Sequence, residues 1–403
     1  MQVLPALSVG GAEQGCIDIH TALIAAGCHS IIVTSGGERE AEAKRAGGTI
    51  INLPVKSKNP LIILRNTTRL KNIIKNYGVD IVHARSRAPA WSCYNACKKT
   101  NARFMTTCHA PYTVSGVFKK SYNSVMAKGE RIIAISQYVR NYLLRYYKID
   151  KKRIRTIARG IPLDIYNPSR VTAERIIQLS QKWSIPEDSF VALLPGRLTR
   201  WKGHHVFIKA MAQLKRNDVV GIIVGADQGR TKYREELESL IKAHNLSDRL
   251  WIVDHCRDMT AAYRLATVVV SASIEPEGFG RVPVEAQAMG RLVVATNHGG
   301  AVETVIDGET GLLVEPGNAK EMAEAIDRIL SLSEQEHEFI GEKAQKHVND
   351  FFSKEQMIKN TFDVYNELLP PGKRKITEKK TGNTRILALN NNRKSLDATR
   401  HAA

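Results

Sequence analysis

The most informative stretch of this chain is Glu275-Pro276-Glu277-Gly278-Phe279-Gly280-Arg281-Val282-Pro283-Val284-Glu285. The apolar run 266–270 in front of it predicts a buried parallel strand, and Pro283 is typical of the first turn of a helix. Backbone N–H groups at such a helix start have no intrahelical partner and point at any anion placed there. The succession of strand, glycine-rich loop and helix therefore predicts an α/β fold with a diphosphate bound at 280–282.

Two carboxylates of this stretch are candidate sugar-binding groups. Glu277 lies on the loop, where it can accept hydrogen bonds from sugar hydroxyls. Glu285 falls about one turn into the helix, within reach of the 2′- and 3′-hydroxyls of a ribose. The alternative is an ordinary acidic helix start that complements the helix dipole. The stretch taken alone leaves both interpretations open.

Length and composition bound the fold. A chain of 403 residues with 43% apolar residues predicts two domains of ordinary size. No apolar run has the length of a membrane-spanning helix and residues 1–7 lack the features of a signal peptide, so we expect a cytoplasmic protein. The six cysteines are few and scattered, which predicts reduced thiols in the core. The first strand begins almost at Met1, which suggests a true start further upstream.

The net charge of +19 is unevenly distributed. Residues 1–165 carry 26 Lys and Arg against 9 Asp and Glu, whereas residues 166–370 carry 24 against 29. A basic domain favours an anionic partner, either nucleic acid or a membrane surface. An aromatic content of 6% and the lack of a recognisable nucleic-acid-binding motif argue against nucleic acid. Residues 371–403, with 9 Lys and Arg against 2 acids, predict a disordered basic tail.

Two segments of the basic half mix lysines with apolar residues, at 56–64 and at 114–128. The second contains Val114, Val117, Phe118, Val125 and Met126 among its lysines. Such segments are expected to lie on the anionic inner face of the cytoplasmic membrane. The alternative is a solvated helix face.

Apolar runs and helix-like stretches alternate along the chain, which is the rhythm of parallel βα units. The predicted strands lie at 31–33, 79–82, 103–105, 131–135, 190–194, 219–224, 250–253, 267–270 and 291–295. Helices are predicted at 12–26, 136–147, 204–215 and 231–245. The proline-containing segment 161–168 is expected to connect two parallel-sheet domains. Ligands of such proteins bind at the carboxyl ends of the strands, so the motifs should converge on one cleft.

Two fixed cations follow the predicted strand at 190–194. Arg197 and Lys202 belong to the segment Gly196-Arg197-Leu198-Thr199-Arg200-Trp201-Lys202-Gly203. Their charge suits a diphosphate and would stabilise a departing nucleoside diphosphate without a metal ion. A solvated basic turn is the alternative.

Further candidates follow other predicted strands. Gly10 and Gly11 open a helix and allow close approach of a ligand to the backbone, although they lack the dinucleotide-binding spacing. His109 ends a strand, where a lone histidine is more often structural. Gly225 is either part of the site or an ordinary turn. Asp254, in a loop after a strand, is a candidate for contacts with the nucleobase.

The candidate motifs occur in a fixed order along the chain. They are Gly10-Gly11-Ala12-Glu13, His109, Ile133-Ala134-Ile135-Ser136, Gly196-Arg197 with Lys202, Glu277 with Glu285, His298-Gly299-Gly300 and Gly308-Glu309-Thr310-Gly311. Together they resemble the retaining glycosyltransferases of family 4 over about residues 1–369. The variant around Glu277 is similar to lipopolysaccharide-core and other envelope mannosyl- or hexosyltransferases of bacteria. The resemblance implies the GT-B fold, with two Rossmann-like domains facing a cleft. It implies an acceptor domain at 1–165, a donor domain at 166–350 and a helix at 351–370 that crosses back to the first domain.

The resemblance also implies roles for the candidate residues. Arg197 and Lys202 would grip the donor diphosphate, Glu285 the ribose and Glu277 the sugar hydroxyls. His109 would contact the sugar from the opposite domain, with Gly10 and Gly11 near phosphate and acceptor. The reaction implied is transfer with retention of configuration, without a cofactor, from a GDP- or UDP-linked sugar to a lipid-linked or lipopolysaccharide acceptor. A nucleotide-sugar-binding protein or an epimerase of the same fold is the alternative.

One departure from the family pattern concerns the crossover between the domains. The usual Pro-Asn-Gly is Ala158-Arg159-Gly160 in this chain. The role of this segment therefore stays open at the level of sequence.

Overall fold

The computed structural model describes residues 1–8, 10–112, 116–373 and 375–377. Val9, Val114 and residues 378–403 lie outside these ranges, so most of the predicted basic tail is outside the described part. The first sheet comprises β1 (Gln2–Val3), β2 (Ile31–Thr34), β3 (Thr49–Asn52), β4 (Ile81–Ala84), β5 (Arg103–Cys108), β6 (Arg131–Ala134) and β7 (Ile154–Thr156). All its pairings are parallel, in the order β3-β2-β1-β4-β5-β6-β7.

The second sheet repeats this plan. It comprises β8 (Phe190–Pro195), β9 (Val219–Val224), β10 (Leu250–Val253), β11 (Val268–Ser271), β12 (Leu292–Thr296) and β13 (Leu312–Val314). Its order is β10-β9-β8-β11-β12-β13, again with parallel pairings. The predicted pair of parallel-sheet domains is confirmed.

Helices connect the strands and cover both faces of each sheet. In the first half they are α1 (Gly11–Ala25), α2 (Glu40–Arg45), α3 (Pro60–Asn76), α4 (Arg87–Cys97), α5 (Val117–Asn123) and α6 (Gln137–Tyr146). In the second half they are α7 (Ala173–Lys182), α8 (His204–Met211), α9 (Thr231–Ala243), α10 (Met259–Leu265), α11 (Arg281–Ala288), α12 (Ala301–Thr304), α13 (Ala319–Leu330), α14 (Glu334–Phe351) and α15 (Lys354–Leu368). None of the described helices is long and apolar enough to cross a membrane.

The strand order places the candidate residues together. In each sheet, the order in which successive strands are added reverses once. This reversal lies between β1 and β4 in the first sheet and between β8 and β11 in the second. Ligands of open parallel sheets bind at such a reversal, beyond the carboxyl ends of the strands. Gly11 follows β1, Arg197 follows β8 and Glu277 follows β11, so all three lie at these two points.

The last helix packs on the first domain. Met357, Phe362 and Tyr365 of α15 are buried in one cluster with Ile19 of α1 and Met105 of β5. Burial of several large apolar side chains stabilises the packing of a helix against its neighbours. The chain therefore returns to the first domain after completing the second.

Most predicted strands lie within one or two residues of their observed positions, and 219–224 and 250–253 match fully. The strand predicted at 79–82 is β4, two residues later. His83 explains the difference, because this polar residue is buried between the Tyr365 hydroxyl at 2.8 Å and the Thr107 hydroxyl at 2.6 Å. Cys16, Cys93, Cys97, Cys108 and Cys256 are free and buried.

Candidate active site

Glu277 is held by two groups of the second domain. Lys202 Nζ lies 2.7 Å from Glu277 Oε1, and the Ser273 hydroxyl donates to the same oxygen at 2.6 Å. Both side chains of the ion pair are mostly buried. The other carboxylate oxygen, Oε2, has no hydrogen-bond partner among the described residues. It is therefore available to accept from a ligand hydroxyl.

The motif His298-Gly299-Gly300 packs against the Glu277 loop and forms hydrogen bonds with its backbone. His298 Nε2 lies 2.7 Å from the Ser273 carbonyl, and the Gly300 N–H donates to the Glu277 carbonyl at 2.9 Å. Gly299 has φ +63°, and a Cβ there would lie 2.6 Å from the Glu277 carbonyl oxygen. The two glycines thus allow the two loops to approach closely.

Glu285 is buried and anchored at the start of α11. The Tyr263 hydroxyl donates to Glu285 Oε2 at 2.8 Å, and Arg281 Nη2 lies 2.8 Å from Oε1. Burial raises the pKa of Tyr263 well above its ordinary value, and the Glu285 charge acts in the same direction. The hydroxyl therefore stays protonated and orients the carboxylate. A charged, oriented acceptor of this kind suits a pair of ribose hydroxyls.

The loop after β8 carries Arg197 on an exposed position. Its guanidinium forms no hydrogen bond or ion pair with the described residues. Gly225 packs directly beneath this loop, since a Cβ at Gly225 would lie 1.8 Å from the Gly196 carbonyl oxygen. Gly225 therefore shapes the loop that presents Arg197.

His109 contacts Arg159, the residue that departs from the family pattern. Arg159 Nη2 lies 2.5 Å from His109 Nδ1. A guanidinium can only donate, so Nδ1 accepts and the proton of the neutral ring is on Nε2. Burial, and next the charge of Arg159, hold the pKa of His109 well below its ordinary value. Nε2 is buried and has no partner among the described residues, so the imidazole offers a neutral N–H donor.

The two domains meet at the Glu277 loop. The Ser136 hydroxyl donates to the Gly278 carbonyl at 2.6 Å, and a Cβ at Gly278 would lie 2.6 Å from the His109 carbonyl oxygen. Glu303 of α12 accepts from the backbone N–H groups of Gln137 and Tyr138 at 2.7 and 2.6 Å. A carboxylate at the start of α6 is favoured by the helix dipole. These contacts bring His109 and the Glu277 loop to the same cleft.

Gly10 and Gly11 lie at the start of α1, on the first-domain side of the cleft. A Cβ at Gly11 would lie 3.4 Å from Arg281 Cδ, so the glycine loop faces the start of α11. Val282 is half-buried and packs against the core of the second domain. Gly11, Arg281 and Glu285 therefore lie close together at the start of α11.

The contact of Phe279 with the donor, expected from its place in the glycine-rich loop, stays a prediction, and its side chain lies in the core. Phe279 is only 4% exposed and packs edge-on against Phe352 with ring centroids 5.6 Å apart. Its ring belongs to a buried apolar cluster with Val284, Ala288 and Phe352. Asp254 follows β10 at the outer edge of the second sheet and pairs with Arg234 of α9. Its contact with a nucleobase stays a prediction.

Three residues that complete the site were not among the candidates: Ser273, Tyr263 and Arg159. Ser273 lies just after β11 and Tyr263 lies in α10, and neither position carries a sequence signal for a role in the site. Arg159 had a signal, because it replaces the expected Asn in the crossover.

The motif order is matched by two family models. Residues 9–165 match the model described as Glycosyltransferase Family 4, and residues 176–347 match that of Glycosyl transferases group 1. A glycosyltransferase from Rickettsia africae ESF-5 is 39% identical with a TM-score of 0.85, over 91% of this chain and 98% of that chain. The chain belongs to glycosyltransferase family 4.

Two further comparisons extend this result. A D-inositol 3-phosphate glycosyltransferase from Paenarthrobacter aurescens (strain TC1) is 31% identical over 230 residues, which is 55% of this chain and 53% of that relative. The chain thus spans about half the length of the curated relatives it matches. HepE from Anabaena, solved with UDP and glucose, has a TM-score of 0.78 at 22% identity over 90% of this chain and 98% of that chain. This likeness shows the fold, which is GT-B as predicted.

Proposed function

We propose that this family 4 member transfers a hexose, with mannose favoured, from a GDP- or UDP-linked donor to an acceptor of the bacterial envelope such as a lipopolysaccharide core. The configuration at the anomeric carbon is retained and no metal is required. The observation that carries the proposal is the Glu277 carboxylate. It keeps one oxygen on Lys202 and Ser273, the other has no partner among the described residues, and the adjacent Gly278 packs against the His109 backbone.

The donor is bound mainly by the second domain. Glu285 accepts from the ribose hydroxyls, and the uncapped N–H groups at the start of α11 receive the diphosphate together with Lys202 and Arg197. Glu277 Oε2 accepts from a hydroxyl of the sugar, and His109 Nε2–H donates to it from the first domain. The sugar is thus fixed between one acceptor and one neutral donor.

In the transfer step, the bond between the anomeric carbon and the phosphate oxygen breaks and the acceptor oxygen bonds to that carbon from the same face. The acceptor proton passes to the departing phosphate oxygen. Lys202 and Arg197 stabilise the negative charge that develops on the diphosphate. Neither His109, a neutral donor, nor the charge-paired Glu277 is required as a base.

Binding of nucleotide tests the donor site directly. Wild-type protein should gain several degrees of thermal stability with one of GDP, UDP, ADP, CMP or their sugar conjugates, because a ligand that binds only the folded state stabilises it by about 2.7 kcal/mol at 100 times its Kd. Arg197→Ala should lose most of this shift. Arg200→Ala is the matched control, since exposed Arg200 pairs with Glu236. Absence of a shift with every nucleotide would contradict the proposal.

We also propose that the first domain docks on an anionic membrane through a basic apolar surface made of Lys58, Leu61, Leu64, Phe118 and Lys120. Leu61, Leu64 and Phe118 are 66%, 62% and 93% exposed. Helix α4 connects the two parts of this surface, because Ser92 donates to the Ile63 carbonyl of α3 and Trp91 donates to the Tyr122 carbonyl of α5. Exposed apolar groups beside lysines suit an interfacial position.

The predicted surface is corrected in part. Val125 and Met126 are fully buried and belong to the core of the first domain. Val114 and the side chain of Val117 lie outside the described part of the chain. Phe118 and Lys120 therefore represent this segment.

Vesicle sedimentation tests the surface. The double variant Phe118→Ser/Lys120→Ser should bind vesicles of anionic phospholipid roughly tenfold more weakly, because each surface lysine contributes about 1 kcal/mol and the ring adds apolar burial. Phe339→Ser is the control, since Phe339 is 60% exposed on the second domain. Equal binding of wild-type protein to anionic and neutral vesicles would exclude this docking.

A further inference from the structure

Helix α1 presents a bare strip of backbone to two arginine side chains. Gly11 and Gly15 are four residues apart and so lie on the same face of the helix. A Cβ at Gly15 would lie 2.6 Å from Arg159 Nη1 and 3.7 Å from Arg85 Nη1. The absence of side chains on this strip therefore allows two guanidinium groups to converge over the helix.

The two arginines come from the carboxyl edge of the first sheet. Arg85 follows β4 and is 4% exposed, and Arg159 follows β7 and is 8% exposed. Arg85 Nε donates to Gln2 Oε1 at 2.6 Å, and Arg159 Nη1 donates to the Gly11 carbonyl at 2.6 Å. Both partners are neutral.

Neither guanidinium has a carboxylate within ion-pair distance among the described residues. The nearby acids of α1 are engaged elsewhere. Glu13 folds back over Gly10, where a Cβ would lie 2.4 Å from its Oε2, and Asp18 accepts from Gln14 at 2.8 Å. Buried charges are ordinarily paired, because desolvation of an unpaired ion is costly. Two adjacent buried cations without an ion-pair partner among the described residues can therefore receive an anion that arrives from solution.

The electrostatics of Arg159 agree with this. Its pKa is lowered to about 9, first by burial and then by the charges of Arg85 and Arg281. The charges of Glu13 and Asp18 act more weakly in the opposite direction, so the guanidinium remains protonated at neutral pH in a net positive field that a bound anion would relieve. His109 Nε2–H, which has no partner among the described residues, adds an uncharged donor beside it.

We propose that Arg85 and Arg159 form a subsite of the first domain that binds a phosphate or carboxylate group of the acceptor. This inference rests on the proposed function, because it assigns the substrate class of the same cleft. The other possible source of the anion is the donor diphosphate. The acceptor is favoured, since Lys202, Arg197 and the start of α11 already serve the diphosphate from the second domain, whereas Arg85 and Arg159 both belong to the first.

The test measures binding to the full chain by calorimetry in two arms. The donor arm titrates UDP and GDP. The acceptor arm titrates glucose 6-phosphate and glucuronate, each against glucose, with the tighter nucleoside diphosphate at saturation so that its site is closed to them. The proteins are wild type, Arg85→Gln, Arg159→Gln and Lys202→Gln, with exposed Arg145→Gln as the control for loss of one positive charge.

We expect wild type to bind at least one of the two anionic sugars and not glucose. Arg85→Gln and Arg159→Gln should weaken that binding at least tenfold and change the affinity for nucleoside diphosphate less than twofold. Lys202→Gln should weaken mainly the nucleoside diphosphate. As a second measurement that needs no variant, sodium phosphate should raise the melting temperature of the nucleotide-saturated wild type above that in sodium chloride of equal ionic strength.

Three results would overturn the subsite. One is equal loss of nucleoside diphosphate affinity in Arg85→Gln, Arg159→Gln and Lys202→Gln, which would assign the arginines to the donor. The second is anionic-sugar binding that neither variant changes. The third is the lack of both anionic-sugar binding and stabilisation by phosphate in a wild type that binds nucleotide. A wild type that binds no nucleoside diphosphate would instead refute the proposed function itself, so the two failures are distinguishable.

Discussion

Glu277→Gln should lower turnover on the order of 100-fold to 1,000-fold, because a misplaced reacting group typically costs this much. The amide keeps the shape of the side chain but removes the charge that Lys202 Nζ contacts at 2.7 Å. It can also rotate to place an N–H₂ group where Oε2 now accepts. The sugar would then lose its acceptor and its fixed position in the cleft.

The same change should leave nucleotide binding intact. Lys202 loses its carboxylate partner and becomes free for the diphosphate, so the affinity for UDP or GDP should stay equal or increase. Steady-state kinetics with the donor found by thermal shift, together with calorimetry, separate the two effects. Glu275→Gln is the matched control, since Glu275 is exposed two residues earlier. If Glu277→Gln turned over as fast as the wild type, the role of Glu277 in binding the donor sugar would be wrong.

The fold, and the positions of the site residues that follow strands, can be predicted from local sequence patterns. Buried apolar runs predict parallel strands, and loops that follow them must lie at one edge of a sheet. This is why Gly11, Arg197, Glu277 and Glu285 could be placed near a common cleft. The pairing of Lys202 with Glu277, 75 residues apart, depends on the order of β8 and β11 in the sheet, which spacing in the chain does not encode.

Other features depend on packing, and sequence patterns did not reveal them. Phe279 sits between two glycines of the ligand loop, yet its ring is enclosed with Phe352 from the far end of the second half. Val125 and Met126 stand beside exposed lysines in the sequence but occupy a short 3₁₀ turn that faces the core. Arg159 could be recognised as unusual, but its contact with His109 arises only when β5 and β7 are brought to the same sheet.

Acidification should destabilise the protein strongly between pH 7.5 and 5.5. Burial lowers the pKa of several histidines: it holds the pKa of His83 and His109 well below the ordinary value, lowers that of His204 to about 4, and also lowers that of His20. In the unfolded chain each titrates near 6.5. Between these values the unfolded state binds more protons than the folded state, so the free energy of unfolding falls as the pH falls.

Each histidine whose folded pKa lies well below 5.5 should contribute roughly 1.4 kcal/mol of this loss at pH 5.5, so His83, His109 and His204 together contribute about 4 kcal/mol, to which His20 adds. Urea denaturation at the two pH values measures the change. His83→Gln should lower overall stability, because His83 bridges Thr107 and Tyr365, but it should also remove roughly 1.4 kcal/mol of the pH dependence. His255→Gln is the control for loss of an imidazole at an exposed position. A free energy of unfolding that stays constant from pH 7.5 to 5.5 would mean that these rings take up protons within the folded protein, and the neutral donor assigned to His109 would then be wrong.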